Sequence, residues 1–226
     1  EVSAAEFDRQ YAVNVRGPAA GLAGDANFTD EAGAGVTVSA ANEILNWHAA
    51  DYDGGGGAGS GSGPEGALET VMRSIRWNGV NQGDGSLNVL APGLMDGQDY
   101  RLQLLFAENC CARGFDVSVE GLLVADEFSP QAIQGGNNTN VGAQLTVDFF
   151  ADGSSLDINL NGRQANFGDR NPILNGFTLE FFPDAVASTS VPDGGTIDFS
   201  ADLVVGPDMD TQTLTITNTG EALSEL

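Results

Sequence analysis

The sequence predicts an all-β protein built around an antiparallel β-sandwich. Apolar and polar residues alternate with a period of two along several runs of the chain, as they do in strands that bury one face. Each run is short and is bounded by Gly, Asp, Asn or Pro, the residues that favour turns. No stretch of about a dozen residues has a convincing helical period. Sheets with one face in the core and one in solvent produce this pattern.

Four runs between residues 99 and 161 show the alternation most clearly. Their apolar sets predict the inward faces of four strands, because side chains alternate between the two faces of a strand. Upstream, residues 39–50 predict a short helix or turn, and the glycine tract 51–66 predicts a long surface loop. The predicted inward sets, in chain order, are Tyr100, Leu102, Leu104 and Phe106, then Phe115, Val117 and Val119, then Leu145, Val147 and Phe149, then Leu156, Ile158 and Leu160.

The composition divides the chain into three parts. Residues 1–182 predict the sandwich domain, and residues 183–195 are small, polar and interrupted by Pro, as linkers are. Strand-like alternation resumes in residues 196–226, which supply about three strands where an independent sandwich of this kind has about seven. We therefore expect this last segment to be incomplete, or to complete its sheet with another chain.

The charge of the chain excludes several partners. Acidic residues number 32 against 8 basic ones, all of them Arg, and the formal net charge is −24. Such a field repels phosphate, so the sequence predicts no nucleic-acid partner and no anionic lipid surface. No apolar run approaches the roughly 18–20 residues that a transmembrane helix needs, so we expect no membrane insertion.

Five segments, in order along the chain, resemble the malectin-like domain, a carbohydrate-binding family. The resemblance covers residues 11–182 and implies a jelly-roll β-sandwich. The matching segments are "YAVNVRG" (11–17), "SIRW" (74–77), "DYRLQLLFAE" (99–108), "RGFDVSVEGLLV" (113–124) and "GDRNPILNGFTLEF" (168–181). Within these segments Arg16 replaces a Gly of the family pattern, and Glu120 replaces an Asn.

A second resemblance concerns the C-terminal part. Residues 194–220, and "TQTLTITNTG" (211–220) above all, resemble the start of a Hydin-type, or abnormal-spindle-type, immunoglobulin-like domain. In bacteria such domains occur beside malectin-like modules in large secreted proteins. The pair therefore implies a secreted or cell-surface bacterial protein, of the kind to which adhesins belong, with a partial immunoglobulin-like segment at 196–226.

The malectin-like resemblance implies a sugar site at one loop end of the sandwich. Sugars are bound by flat apolar faces and by planar polar groups that satisfy their hydroxyls. Asp169 matches the family's ligand Asp, with a turn or capping role as the alternative. Phe167 stands where the family carries Tyr. Trp77 falls near another family aromatic, with core packing as the alternative, and Tyr52 matches a third through a loop that aligns poorly.

The only two cysteines, Cys110 and Cys111, occupy the positions of an aromatic pair in malectin. One hypothesis is a vicinal disulfide, whose compact apolar ring would replace the aromatic platform in an oxidising exterior. Reduced thiols or bridges to other chains are the main alternative. A metal site needs about four ligands, and a catalytic Cys needs a base; the single His48 is distant in sequence, which disfavours both.

Acidic residues offer few further sites. Glu108 ends the family's Phe-Ala-Glu and is interpreted as structural, accepting backbone or arginine hydrogen bonds. The glycine-rich loops around Asp51, Asp53 and Asp84 offer hard oxygen ligands, so they are weak candidates for a structural Ca²⁺ site.

The sequence therefore predicts a non-catalytic carbohydrate-binding module of a secreted or cell-surface protein, with a glycan or polysaccharide as its partner and no cofactor. The alternative is a structural subunit of an extracellular filament or surface layer. In that case the C-terminal strands would pair into a neighbouring subunit and form a homo-oligomer, because strands with open edges seek partners.

Overall fold

A computed structural model describes residues 8–23, 26–48, 51, 64–79, 85–163 and 165–181. The chain divides into two units, Glu1–Phe182 and Pro183–Leu226, and all described residues lie in the first. The predicted linker 183–195 and the immunoglobulin-like segment 196–226 lie outside the described residues. The same holds for Tyr52, Asp53 and Asp84.

Within these ranges the chain forms mainly β-strands, with three short helices, which confirms the predicted all-β class. The helices are α1 (Glu31–Ala34), α2 (Pro64–Met72) and α3 (Pro130–Gln134). The strands are β1 (Asp8–Asn14), β2 (Gly21–Ala23), β3 (Ala26–Asp30), β4 (Thr37–Ser39), β5 (Asn42–Ile44), β6 (Ile75–Trp77), β7 (Ser86–Pro92), β8 (Asp99–Phe106), β9 (Phe115–Val119), β10 (Leu122–Phe128), β11 (Ala143–Phe150), β12 (Ser155–Asn161), β13 (Ile173–Leu174) and β14 (Gly176–Phe181).

Two large sheets form the sandwich, and a small third sheet adjoins them. The first has the order β11-β8-β14-β1-β3-β2, the second β10-β9-β12-β7-β4, and the third β13-β6-β5. Neighbouring strands run antiparallel except β1 and β3. The predicted antiparallel sandwich is therefore confirmed, and the single parallel pair arises because β3, the second strand of the β2–β3 hairpin, lies next to β1.

The core lies between the two large sheets, and the predicted inward sets all face it, together with apolar residues of β1, β4, β7 and β14. Members of the β8, β9 and β12 sets are at most 1% exposed. Leu145, Val147 and Phe149 face the same core but are only partly buried, because β11 is at the edge of its sheet.

Two segments differ from the prediction. Residues 39–50, expected as a helix or turn, contain strand β5, which pairs with β6; this tertiary pairing decides a segment whose own pattern is weak. At the end of the glycine tract, residues 64–72 form α2, which begins at Pro64, a residue well suited to a first helical turn. Val71 and Met72 of α2 pack with Phe28 and Leu105 in a second apolar cluster.

Candidate binding site around the 107–114 loop

Cys110 and Cys111 form a disulfide with each other. They lie in the loop between β8 and β9, outside both strands, as the vicinal-disulfide hypothesis requires, because adjacent side chains in a strand point to opposite faces. Cys110 is exposed and Cys111 is half-buried. The structure therefore presents at the surface an eight-membered ring, whose disulfide and methylene groups are apolar and whose peptide group is polar.

All four backbone polar groups of the cysteine pair are hydrogen-bonded. The amides of Cys110 and Cys111 both donate to Oε1 of Glu108, at 2.9 and 3.1 Å. The carbonyl of Cys110 accepts from Nδ2 of Asn137 at 2.6 Å, and that of Cys111 accepts from the amide of Arg113 at 3.0 Å. The ring is thus held in one position by groups on both sides of the loop.

Glu108 and Arg113 form a buried ion pair beneath this ring. Their side chains are 0% and 4% exposed, and Nε of Arg113 donates to Oε2 of Glu108. Nη1 of Arg113 donates to the carbonyl of Asn171 at 2.7 Å. A buried charge is tolerated where it is paired and hydrogen-bonded. Glu108 therefore accepts the backbone and arginine hydrogen bonds that were expected of a structural residue.

The backbone of Glu108 is held from a second direction by Gln134 at the end of α3. Oε1 of Gln134 accepts from the amide of Glu108 at 2.9 Å, and its Nε2 donates to the carbonyl of Glu108 at 2.7 Å. The amide of Asn138 donates to the same carbonyl at 2.8 Å. These bonds fasten residues 135–141 to the 107–114 loop.

Asp169 lies beside this ion pair. Its Oδ2 is 3.7 Å from Nη2 of Arg113, while its Oδ1 accepts from the amide of Asn171 at 2.9 Å. Its carbonyl accepts from the amide of Gly114 at 3.1 Å. Asp169 thus closes a turn, the alternative weighed for it, and it also keeps 23% of its side chain exposed.

Phe167 packs on the backbone of the same loop. A β-carbon built on Gly114 would fall 2.1 Å from Cδ2 of Phe167, so the half-buried ring lies directly against the glycine. Because glycine has no side chain, it permits this close approach. Arg113 supplies a second link, because its Nη2 lies 3.6 Å from Sγ of Cys110 and 3.7 Å from Oδ2 of Asp169. The two cysteines, Phe167 and Asp169 therefore belong to one region.

Trp47 also belongs to this region, although the sequence prediction missed it. The guanidinium carbon of Arg113 lies 5.7 Å from the centre of its ring, within the range of a cation–π contact. Its Nε1 donates to the carbonyl of Ala107 at 2.8 Å, and the ring is half-buried. In the sequence, the one sign of this role is that Trp47 is an aromatic residue in a short segment, 39–50, whose pattern predicts no regular buried position for it.

Trp77 packs against the main core, and none of the contacts described around the disulfide involves it. It ends β6, where it pairs with Ile173 and Asn42, and its side chain packs against the main core. Its Nε1 is buried and has no hydrogen-bond partner within the described ranges. The contacts around the disulfide do not include it, and its role in binding stays a prediction.

Two metal predictions concern this region. The backbone amide of Asp51 donates a hydrogen bond to Oδ1 of Asn140 at 3.2 Å, so Asp51 lies against residues 135–141. Its role as a Ca²⁺ ligand stays a prediction.

Ligand atoms of Glu108, Cys110 and Cys111 lie within 4.8 Å of one another. However, the two sulfurs are bonded to each other and the carboxylate already accepts from the amides and Arg113, which leaves no thiolate for a metal.

A groove of about 460 Å³ is lined by Arg16, Glu43 and Arg76 among others. Neither the disulfide nor Phe167 or Asp169 lines it.

His48 follows Trp47 in the chain and is buried, and burial lowers the pKa of its imidazole below the ordinary value.

Comparisons with known proteins identify the fold. No family model matches the chain, and no curated protein does. None of the helices in the described ranges is long and apolar enough to span a membrane.

Solved structures with the malectin-like fold do match. The ectodomain of ANX2 from Arabidopsis thaliana has a TM-score of 0.59 and 15% identity, over 79% of this chain and 53% of that one. A crystal structure of the plant peptide RALF23 in complex with FER and LLG2 matches with a TM-score of 0.57 and 16% identity, over 77% of this chain and 49% of the matched chain. A structure of a β-glucuronidase from Bacteroides uniformis matches with a TM-score of 0.51 and 15% identity, over 76% of this chain and 17% of that one. This chain spans about half the length of the plant structures that it matches, and the likeness shows a malectin-like fold.

Proposed function

We propose that this chain is a non-catalytic carbohydrate-binding module of a secreted or cell-surface protein, and that it binds a glycan at the 107–114 loop. One observation carries the proposal. Cys110 of the vicinal disulfide is exposed, Nη2 of Arg113 lies 3.6 Å from its Sγ and 3.7 Å from Oδ2 of Asp169, and every backbone polar group of the two cysteines is hydrogen-bonded.

The chemistry of this surface suits a sugar ring. A pyranose presents a face of C–H groups, which packs on flat apolar surfaces, and a rim of hydroxyls, which need hydrogen bonds. The disulfide ring and the ring of Phe167 supply the apolar part. Oδ2 of Asp169 supplies an acceptor for a hydroxyl, because this side chain is 23% exposed and Oδ2 lies 3.7 Å from Nη2 of Arg113, beyond hydrogen-bond distance.

The surface is ordered before a ligand arrives. Glu108 fixes the amides of the cysteines, and Arg113 links Glu108, Asp169 and the ring of Trp47. Ordering groups in advance lowers the entropy lost on binding. The rigid ring therefore replaces the aromatic pair of the related family with a smaller apolar surface.

The carboxylates of the site support a binding role. Glycoside hydrolysis uses two carboxyl groups that flank the bond to be cleaved. Glu108 is fully buried and its oxygens accept from two amides and a guanidinium, so it cannot reach a sugar. Asp169, whose side chain is 23% exposed, offers a carboxylate oxygen to a ligand at this surface.

An extracellular location agrees with these features. Disulfides persist in oxidising compartments, and the plant structures with this fold are ectodomains. The bacterial source and the filament alternative both rest on residues 194–226, which lie outside the described part of the chain.

A glycan array with the full chain under non-reducing conditions tests the proposal, followed by calorimetry on the best ligand. We expect the double variant Cys110→Ser/Cys111→Ser and the variant Asp169→Asn each to bind about tenfold or more weakly, a loss of roughly 1.4 kcal/mol. Asp157→Asn is the matched control, since Asp157 is exposed on β12 and we expect it to bind normally. A folded chain that binds no glycan, or site variants that bind as tightly as the control, would refute the proposal.

A further inference from the structure

The edge strand β11 (Ala143–Phe150) is unusual among the sheet edges of the described chain. It pairs with β8 at eight consecutive positions, from Ala143 opposite Phe106 to Phe150 opposite Asp99, with no shift of register. Neither Pro nor Lys interrupts it. No other strand of the described ranges pairs with its outer side, and a long, regular edge is the usual template for pairing with another strand.

The other edges are protected. β10, the edge of the five-stranded sheet, changes register twice against β9, and Glu127 within it adopts a positive φ of 52°. β2, β4, β5 and β13 have only two or three residues each. Bulges and short length are the common means of blocking an edge. β11 has neither.

The core-facing row of β11 is incompletely covered. Leu145, Val147 and Phe149 are partly buried, whereas the β8 residues opposite Leu145 and Val147 are 0% exposed. A further strand beyond β11 would bury the remaining apolar surface of these three side chains. Removing apolar surface from water favours such an addition.

The outer row of β11 carries no uncompensated charge. Its residues Gln144, Thr146, Asp148 and Phe150 are exposed. Asp148 forms a two-point ion pair with Arg101, at 2.8 and 2.9 Å, and this guanidinium lowers the pKa of the carboxyl. In a chain of net charge −24, this neutral edge is a place where another copy could approach closely.

We propose that β11 pairs antiparallel with β11 of a second copy of this chain, about a two-fold axis through Val147. In that register Thr146 lies opposite Asp148 of the second copy, and Leu145 lies opposite Phe149. The hydroxyl then donates to a carboxylate, and apolar side chains meet on the core face. The strand is complementary to itself, and the two six-stranded sheets join into one. A two-fold contact of this kind closes at the dimer.

The net charge of each copy opposes the contact, so salt controls it. Repulsion between two chains of net charge −24 extends over the Debye length, about 30 Å at 0.01 M salt and about 3 Å at 1 M. Pairing of a single strand also buries less surface than a typical stable interface. We therefore expect a weak dimer that forms at high protein concentration and tightens as salt is raised.

Sedimentation equilibrium of the full chain at low and high salt measures this association, and substitutions at Thr146 test its register. Thr146→Lys places a cation opposite Asp148 in two symmetry-related pairs, and we expect roughly 2- to 30-fold tighter dimerisation. Thr146→Glu places like charges there and weakens it by a similar factor. The matched controls are Thr37→Lys and Thr37→Glu, which change the net charge equally at an exposed position of β4.

Hydrogen exchange supplies a second readout, because the outward amides of β11 should exchange more slowly as the dimer forms, while those of β4 should not change. The proposal is overturned if the chain stays monomeric at high salt, or if it forms open-ended assemblies. It is equally overturned if the Thr146 and Thr37 variants shift the association alike, since net charge alone would then explain it. The proposal does not depend on glycan binding.

Discussion

The ring of Phe167 lies against the α-carbon of Gly114 so closely that a β-carbon there would fall 2.1 Å from Cδ2 of the ring. This contact joins the 107–114 loop, which carries the disulfide, to the segment that carries Asp169. The amide of Gly114 strengthens the junction by donating to the carbonyl of Asp169 at 3.1 Å. The position of the aromatic ring therefore depends on the absence of a side chain at residue 114.

Substitution of Gly114 by Ala should displace Phe167 and weaken glycan binding. Overpacking of this kind costs about 1–3 kcal/mol in the free energy of unfolding, measurable by urea denaturation. Gly168→Ala is the matched control, because a β-carbon on Gly168 would meet no atom within 4 Å; we expect a change within about 0.5 kcal/mol. Equal effects of the two substitutions would contradict the packing described for Phe167.

Arg113→Met should destabilise the domain strongly. The substitution leaves the carboxylate of Glu108 buried without its guanidinium, and losing one partner of a buried pair costs about 3–5 kcal/mol. The double variant Glu108→Gln/Arg113→Met should be more stable than Arg113→Met alone, because a neutral amide is less costly to bury. Arg101→Met breaks a more exposed pair and should cost at most about 1 kcal/mol. A milder loss at residue 113 than at residue 101 would show that the Glu108 pair has no such structural role.

The two tryptophans should separate binding from stability. Trp47→Ala removes the contact with Arg113 and the hydrogen bond to Ala107, so it should weaken glycan binding more than Trp47→Phe, which keeps an aromatic ring. Trp77→Phe, in a side chain that packs on the core, should lower the unfolding free energy and leave the affinity of the folded protein unchanged. Calorimetry and urea denaturation on the same samples would decide, and a Trp77 variant with normal stability and lost binding would restore Trp77 as a ligand contact.

His48 should make stability depend on pH as the pH falls below the ordinary imidazole pKa of about 6.5. Burial lowers the pKa of its imidazole in the folded state, so below the unfolded value of about 6.5 the unfolded chain binds more protons. Stability is therefore present at neutral pH and falls as the pH drops below that value. Because the chain has a single His, His48→Gln should flatten the change in unfolding free energy measured by urea denaturation. An unchanged slope in the variant would assign the effect to other groups.

The strands that carry the core were predictable because their pattern is local and repeated. The alternation of Leu156, Ile158 and Leu160 fixes which face is buried, and all three are 0% exposed. The order of segments around the Phe-Ala-Glu that ends at Glu108 gave the sandwich its family likeness. In the same way the adjacency of Cys110 and Cys111 was enough to suggest the vicinal disulfide, since the sequence has no other cysteine.

The rest depends on contacts between distant residues. Strand β5 exists because Asn42–Ile44 pairs with Ile75–Trp77, a partnership that no local period reveals. Trp47 reaches the site through Arg113, 66 positions along the sequence numbering, and Phe167 reaches it through Gly114. Such meetings follow from the sheet order, which the sequence pattern alone does not specify.

The disulfide joins neighbours in the chain and therefore encloses no loop. A cross-link stabilises a fold mainly by restricting the unfolded chain, and this effect grows with the length of chain between the linked residues. With a sequence separation of 1, that restriction is absent, and the unfolded protein is nearly as free with the bond as without it. We therefore expect thiol reductants to leave the unfolding temperature of the domain nearly unchanged, while they open the exposed ring and change its shape.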